Sequence, residues 1–131
     1  MLSSVAAMLA NVLYYQGLFE DAERYTRISE ENAARDDYSS QILWRFVRAK
    51  AIANGGRLAE GEQLAREAVA LAQDTDDINL HGDALIALAE VLQFADRPDE
   101  AATFVDQALR FYEQKGNLVS AGKARSLLAA L

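Results

Sequence analysis

An internal repeat of about 40 residues organises this 131-residue chain. Three short segments align with one another: GLFEDAE from Gly17, GRLAEGE from Gly56 and DRPDEAA from Asp96. Each segment carries a small residue at the same place, and these residues are Ala22, Gly61 and Ala101. A fixed period of this length is typical of folds in which each unit buries its apolar face against the next unit.

Small residues recur at two further places in each unit. Twelve residues before the first set lie Ala10, Ala49 and Ala89, and seven residues after it lie Ser29, Ala68 and Ala108. Small side chains at fixed spacing are needed where two helices cross closely, because a larger side chain would force the axes apart. We therefore predict that Ala89 and Ala101 meet within one helical hairpin.

Good helix-capping residues recur with the same period. Asp37, Asp77 and Asn117 are 40 residues apart, and each precedes a helical pattern. The sequence predicts helices over residues 3–16, 20–35, 39–54, 58–74, 78–94, 98–114 and 118–131. Because alanine and leucine dominate and Pro98 is the single proline, we predict an all-α chain without a sheet.

These residues resemble tetratricopeptide repeats, in a variant with a period near 40. The segments SQILWRFVRAKAIA, EGEQLAREAVALA, HGDALIALAEVLQFADRPDEAA and YEQKGNLVSAGKAR are similar to the C-terminal repeats of multidomain bacterial signalling proteins. In those proteins a nucleotide cyclase or DNA-binding output domain and an ATPase module precede the repeats. The resemblance implies one domain over residues 1–131, a solenoid of three hairpins (3–36, 37–76 and 77–116) with a terminal helix (117–131).

The resemblance also implies a binding function and not catalysis. We expect a protein–protein interaction scaffold or regulatory region, cut from a larger cytoplasmic bacterial signalling protein. The alternative is a ligand-sensing domain that holds a small molecule or a peptide in its concave groove. The partner would be another protein, a peptide or other domains of the parent chain, and a homodimer stays open.

Charge and composition narrow the classes of partner. The formal net charge of −7 gives an acidic surface, which repels phosphate backbones and argues against nucleic acid. The absence of cysteine excludes a disulfide framework, a thiol nucleophile and a cysteine zinc site. The apolar start MLSSVAAMLANVLYY lacks a basic leader region and is shorter than a membrane span, so we expect no membrane partner.

Catalytic and metal-binding patterns are weak. His81 is the only histidine, and a lone histidine at a helix start supplies one metal ligand at most. The acidic run DTDD at residues 74–77 lacks the glycine and closing glutamate of a calcium loop, and a helix-capping turn explains it better. We predict that the chain is not an enzyme and has no catalytic residue, metal or cofactor.

One candidate binding surface lies in the stretch DDYSSQILWRFVRAKA, residues 36–51, which contains Trp44, Arg45 and Arg48. In tetratricopeptide repeats, packing residues occupy the places of these two arginines. Two unpaired guanidinium groups would not be buried there. Either they pair with acids of neighbouring helices or they bind an anionic partner, and we favour pairing. The candidate acids are Glu30, Glu31, Glu62 and Glu67.

The second candidate surface is the concave wall that the resemblance implies. There the first helix of each pair faces inward, and the residues on that wall are Asn11, Tyr14, Tyr15, Phe46, Lys50, Glu90, Gln93 and Phe94. Mixed aromatic and polar side chains suit the recognition of a peptide. The alternative is that some of them contact adjoining repeats of the parent protein.

Overall fold

The computed structural model describes residues 2–131, which fold into seven α-helices. The helices are α1 (Leu2–Tyr15), α2 (Phe19–Asn32), α3 (Tyr38–Asn54), α4 (Leu58–Gln73), α5 (Ile78–Phe94), α6 (Pro98–Lys115) and α7 (Leu118–Ala130). No strand occurs within this span. The all-α class and the seven predicted helices are confirmed.

Helix α2 differs most from its predicted bounds, since it ends at Asn32 instead of Arg35. The side-chain amide of Asn32 donates to the Ile28 carbonyl at 2.7 Å, and Ala33 already has an extended backbone. An asparagine that bonds a carbonyl of the preceding turn competes with the helical hydrogen bonds, which favours termination there.

The predicted capping residues directly precede helices α3, α5 and α7. The side chains of Asp37, Asp77 and Asn117 accept hydrogen bonds from backbone N–H groups three residues later, at 3.2, 3.0 and 3.2 Å. Each bond satisfies a donor that the first helical turn leaves free. The DTDD run therefore ends in the cap of α5, as predicted.

The turns that precede α2, α4 and α6 share one backbone feature. Gly17, Gly56 and Asp96 have positive φ angles of 82°, 96° and 59°. These residues begin the three aligned segments of the sequence. The left-handed conformation suits glycine, and aspartate adopts it more readily than most other residues. The repeat in the sequence is thus also a repeat in backbone geometry.

Each helix packs against the helices before and after it in the chain, and α3 also contacts both α1 and α5. The largest fully buried side chains come mainly from the central helices α3 and α5, and they include Ile42, Val47, Leu85 and Leu88. No helix among residues 2–131 has the length and hydrophobicity needed to cross a membrane.

Small residues permit the close crossing of α3 and α4. A Cβ atom added to Gly61 would lie 2.9 Å from the Ala49 carbonyl oxygen and 3.0 Å from Ala53 Cβ. Gly61 and Ala49 are the twelve-residue pair of the second unit. The equivalent residues Ala89 and Ala101 are both buried, and their contact stays a prediction.

Candidate functional site

Side chains of α1, α3, α5, α6 and α7 line a partly open cavity of about 460 Å³, which we call the central groove. Helices α1, α3 and α5 form most of it, and α7 closes one side. The lining residues are Asn11, Tyr15, Leu43, Phe46, Lys50, Asp83, Ile86, Glu90, Tyr112, Ser120, Lys123, Ala124 and Leu127. Five residues predicted for the concave wall therefore line one groove: Asn11, Tyr15, Phe46, Lys50 and Glu90.

Lys50 lies on the floor of the central groove and is 2% exposed. Its Nζ donates to Asn11 Oδ1 at 2.8 Å and to the Tyr15 hydroxyl at 3.1 Å. Both partners belong to α1, whereas Lys50 belongs to α3. The buried ammonium group therefore links α3 to α1.

Three aromatic rings surround the Lys50 ammonium group. Its nitrogen lies 4.9 Å from the ring centroid of Tyr14, 4.5 Å from that of Tyr15 and 5.4 Å from that of Phe46. The negative faces of these rings attract the cation. Burial nevertheless lowers the pKa of Lys50 to about 8, because the charged form has lost water. At neutral pH most molecules still carry this charge.

Glu90 extends this network to α5. Its Oε1 accepts a hydrogen bond from the Tyr15 hydroxyl at 3.2 Å, so Tyr15 contacts both Lys50 and Glu90. Burial raises the pKa of Glu90, and the positive charge of Lys50 opposes that rise. Lys50 is not among the ion pairs formed by residues 2–131, so the two charges act on each other without direct contact.

A second carboxylate, that of Asp83, lies two turns before Glu90 on the same face of α5. Its Oδ1 accepts a hydrogen bond of 2.5 Å from the Tyr112 hydroxyl of α6. Burial raises the pKa of Asp83 as well. Gly82 permits this contact, because a Cβ atom at that position would lie 2.7 Å from Tyr112 Cε1.

Sequence reasoning missed Asp83 and Tyr112. The spacing of seven between Asp83 and Glu90 placed both acids on one helix face, and this signal was available in the sequence. Nothing comparable pointed to Tyr112, because the predicted wall was drawn only from the first helix of each pair, and Tyr112 lies on α6. Its ring reaches the groove through the space that Gly82 leaves.

Three residues predicted for the concave wall do not line the groove. Tyr14 is 7% exposed and packs beside Lys50 and Phe19, with 5.5 Å between the ring centroids of Tyr14 and Phe19. Gln93 and Phe94 lie at the exposed end of α5. The structure thus places Tyr14 in the core, and Gln93 and Phe94 outside the groove.

Trp44, Arg45 and Arg48 of α3 form a second group of predicted site residues, which we call the Trp44 cluster. None of these three side chains lines the central groove. Trp44 is 4% exposed, and its indole N–H donates to Gln41 Oε1 at 3.2 Å. The guanidinium carbons of Arg45 and Arg48 each lie 4.4 Å from the centre of its ring. Because the ring is buried and already contacts two cations, little of it remains for a partner.

The two arginines of this cluster have different partners. Arg48 Nη2 pairs with Glu30 Oε1 at 2.8 Å, and Arg48 Nε donates to Thr26 Oγ1 at 3.1 Å. Arg45 Nη1 bonds both oxygens of Gln41, the carbonyl at 2.9 Å and the side chain at 2.8 Å. Pairing with a neighbouring acid, one of the two alternatives for this surface, is therefore observed for Arg48 and Glu30. Arg45 stays within its own helix.

His81 packs on an aromatic ring. Its imidazole stacks on Phe111 with 4.5 Å between ring centroids, and burial lowers its pKa. In the part of the chain that the structure describes, no group of three His, Cys, Asp or Glu residues is arranged to hold a metal ion.

An apolar strip runs along the outer face of α1. It consists of Leu2, Val5, Met8 and Val12, whose side chains are between 52% and 60% exposed. These residues recur every three or four positions, so they share one side of the helix.

The comparisons with known proteins give no match. No protein-family model, no curated protein and no solved structure is significantly similar to this chain.

Proposed function

We propose that the chain is a tetratricopeptide-like solenoid whose central groove is its concave wall and binds an extended segment of a partner protein. The observation that carries this proposal is the groove itself. Side chains from three successive first helices converge in a cavity of about 460 Å³. The repeated caps, turns and small-residue positions support the solenoid.

The lining of the groove suits an extended peptide. Apolar side chains such as Leu43, Ile86 and Leu127 lie among the polar groups of Asn11 and Glu90. Apolar area contributes affinity, and a few placed polar groups fix the orientation of a ligand. A peptide offers both kinds of partner along its length, because its side chains alternate with backbone amides.

The hydrogen bonds within the groove favour a rigid binding surface. The contacts from Asn11 through Lys50 and Tyr15 to Glu90 join α1, α3 and α5. A surface fixed before binding loses little conformational entropy when its partner arrives. By contrast, Trp44 and Arg48 contribute to packing, so we place the binding site in the groove and not in the Trp44 cluster.

The resemblance to bacterial signalling proteins supplies the wider context of the proposal. In that context the chain serves as a cytoplasmic scaffold or regulatory region, and its partner is another protein or another domain of the same protein. Recognition requires no catalytic group. The apolar strip of α1 would suit a homodimer, and sedimentation across a range of concentrations tests that alternative.

A peptide-display selection on the immobilised chain tests the proposal. Ser120→Phe introduces a ring into the groove wall, whereas Ser126→Phe places the same ring on the exposed side of α7. Selected peptides should bind Ser120→Phe at least about tenfold more weakly than wild type, and Ser126→Phe should bind normally. Equal binding by both variants, once circular dichroism shows both folded, would place the site elsewhere.

Ligand sensing is the second candidate, favoured by the size of the cavity. A volume of about 460 Å³ lies within the range of small-molecule sites. Mass spectrometry of the natively purified chain distinguishes the two functions. A retained small molecule that Ser120→Phe loses and Ser126→Phe keeps would favour sensing over peptide binding.

A further inference from the structure

Four charged side chains line the central groove, and they differ in how deeply they are buried. The lining holds one buried cation, Lys50, and two half-buried carboxylates, Asp83 and Glu90. The other cation of the lining, Lys123, is exposed on α7, and its charge acts on Asp83 without an ion pair among residues 2–131. Apart from the exposed Lys123, the groove therefore holds two carboxylates against one ammonium group.

Lys50 has little capacity left for an anionic ligand. Two of its three donor positions are occupied by Asn11 and Tyr15, and three aromatic rings surround its nitrogen. With a side chain that is almost fully buried, it offers no open face on which a carboxylate or phosphate would dock.

Each carboxylate of α5, in contrast, keeps one free oxygen. Oδ2 of Asp83 and Oε2 of Glu90 accept no hydrogen bond from residues 2–131, while Oδ1 and Oε1 bond to tyrosines. Neither free oxygen is among the buried atoms that lack a partner in this span, so both are open to the groove. Burial raises the pKa of both carboxyl groups, so a cation placed beside them would favour their charged form.

The two acids and the residue between them form a strip that fits a long cationic side chain. Asp83, Ile86 and Glu90 follow one another along one face of α5, and the acids lie about 10 Å apart along the helix axis. The apolar stem of a lysine or arginine would lie on Ile86 and Phe46, while its charged head reached a carboxylate.

We propose that the central groove selects a cationic group, an ammonium or a guanidinium, and holds it against Asp83 and Glu90 of α5. This inference rests on the proposed function for its expected source, a lysine or arginine of the bound segment. A free polyamine carries the same chemistry, and the experiment separates the two sources.

The test uses chemical-shift titrations of the ¹⁵N-labelled chain with defined probes. The peptide probes are capped nonapeptides of alanine with arginine, lysine, glutamine or glutamate at the centre, and the small probe is spermidine. We expect the arginine and lysine peptides to shift groove amides and to bind several-fold more tightly than the glutamate peptide. Lys123→Gln should tighten the binding of the arginine peptide.

Charge-neutralising variants locate the contact. Glu90→Gln and Asp83→Asn keep acceptors for their tyrosine partners, and Glu67→Gln on the exposed side of α4 makes the same change in net charge. A hydrogen bond to a charged group contributes about tenfold in affinity. We therefore expect each groove variant to raise the Kd of the arginine peptide by about that factor. Glu67→Gln should raise it by less than about twofold.

The outcomes separate this inference from the proposed function. Tighter binding of the glutamate peptide, equal effects of Glu90→Gln and Glu67→Gln, or no binding of any cationic probe would overturn the inference. If glutamate or glutamine peptides still bind the groove, the proposed function survives without the cation. A third outcome is that spermidine binds, that Glu90→Gln and Asp83→Asn weaken its binding, and that no peptide binds. In that case the cation site is supported and the proposed peptide-binding function is refuted.

Discussion

Replacing Arg48 with alanine should destabilise the chain by roughly 1.5–3 kcal/mol. The side chain is 16% exposed and its partner Glu30 is 47% exposed, so the pair is half open to water. Such a pair contributes up to about 1 kcal/mol, and the cation–π contact with the buried Trp44 ring adds roughly 1–2 kcal/mol. The loss should stay below the roughly 3–5 kcal/mol expected for a fully buried pair.

Arg45 provides the matched control. Its guanidinium group lies at the same distance from the Trp44 ring, but its hydrogen bonds stay within α3. Arg45→Ala removes a cation–π contact of the same length and no link to α2, so we expect a cost of roughly 1–2 kcal/mol, below that of Arg48→Ala. The difference between the two variants isolates the link from Arg48 to Glu30 and Thr26.

Urea unfolding followed by circular dichroism at the helical band measures both losses. If the slope is about 2 kcal/mol per molar urea, Arg48→Ala should lower the midpoint by roughly 1 M. Trp44 fluorescence is a poor probe here, because both substitutions change its surroundings. Equal midpoints for wild type and Arg48→Ala would refute the structural role and return this face to the candidate binding sites.

Three further predictions concern the core and the groove. Ala89→Leu should overpack the crossing with α6 and cost roughly 1–3 kcal/mol, and an unchanged melting temperature would mean that Ala89 does not lie at that crossing. Ser29→Ala removes a buried hydroxyl that has no partner within residues 2–131, and urea unfolding should show a gain of about 1 kcal/mol, not a loss. Because burial lowers the pKa of Lys50 to about 8, the unfolded state binds more protons above that pH, and stability should rise by about 2 kcal/mol from pH 7 to 9.5. Lys50→Met should abolish this rise, and a rise that persists in the variant would assign it to another group.

The repeat made the helices and their caps predictable. Asp37 and Asp77 are local signals, since a cap depends on a few residues at a helix start. The small residues Ala49 and Gly61 predicted a close crossing because size alone limits how near two helices approach. Helix α2 ended earlier than predicted, because Asn32 bonds the preceding turn through its side chain, and no periodic pattern records that bond.

The groove was predictable only in part. Asn11, Lys50 and Glu90 were expected on one wall because they share positions in successive units. That Lys50 would be buried was not predictable, because its burial depends on how three helices meet around it. Tyr112 was missed for a similar reason, since its approach depends on the missing side chain of Gly82 in another helix.

Mapping a selected peptide onto the chain by NMR tests the central claim most directly. The ¹⁵N-labelled chain is titrated with a peptide from the display selection, and the shifted amides are located on the structure. We expect the largest shifts around Asn11, Lys50, Glu90 and Ser120, which line the central groove on α1, α3, α5 and α7. Shifts confined to the outer surfaces of α2, α4 and α6 would contradict the account.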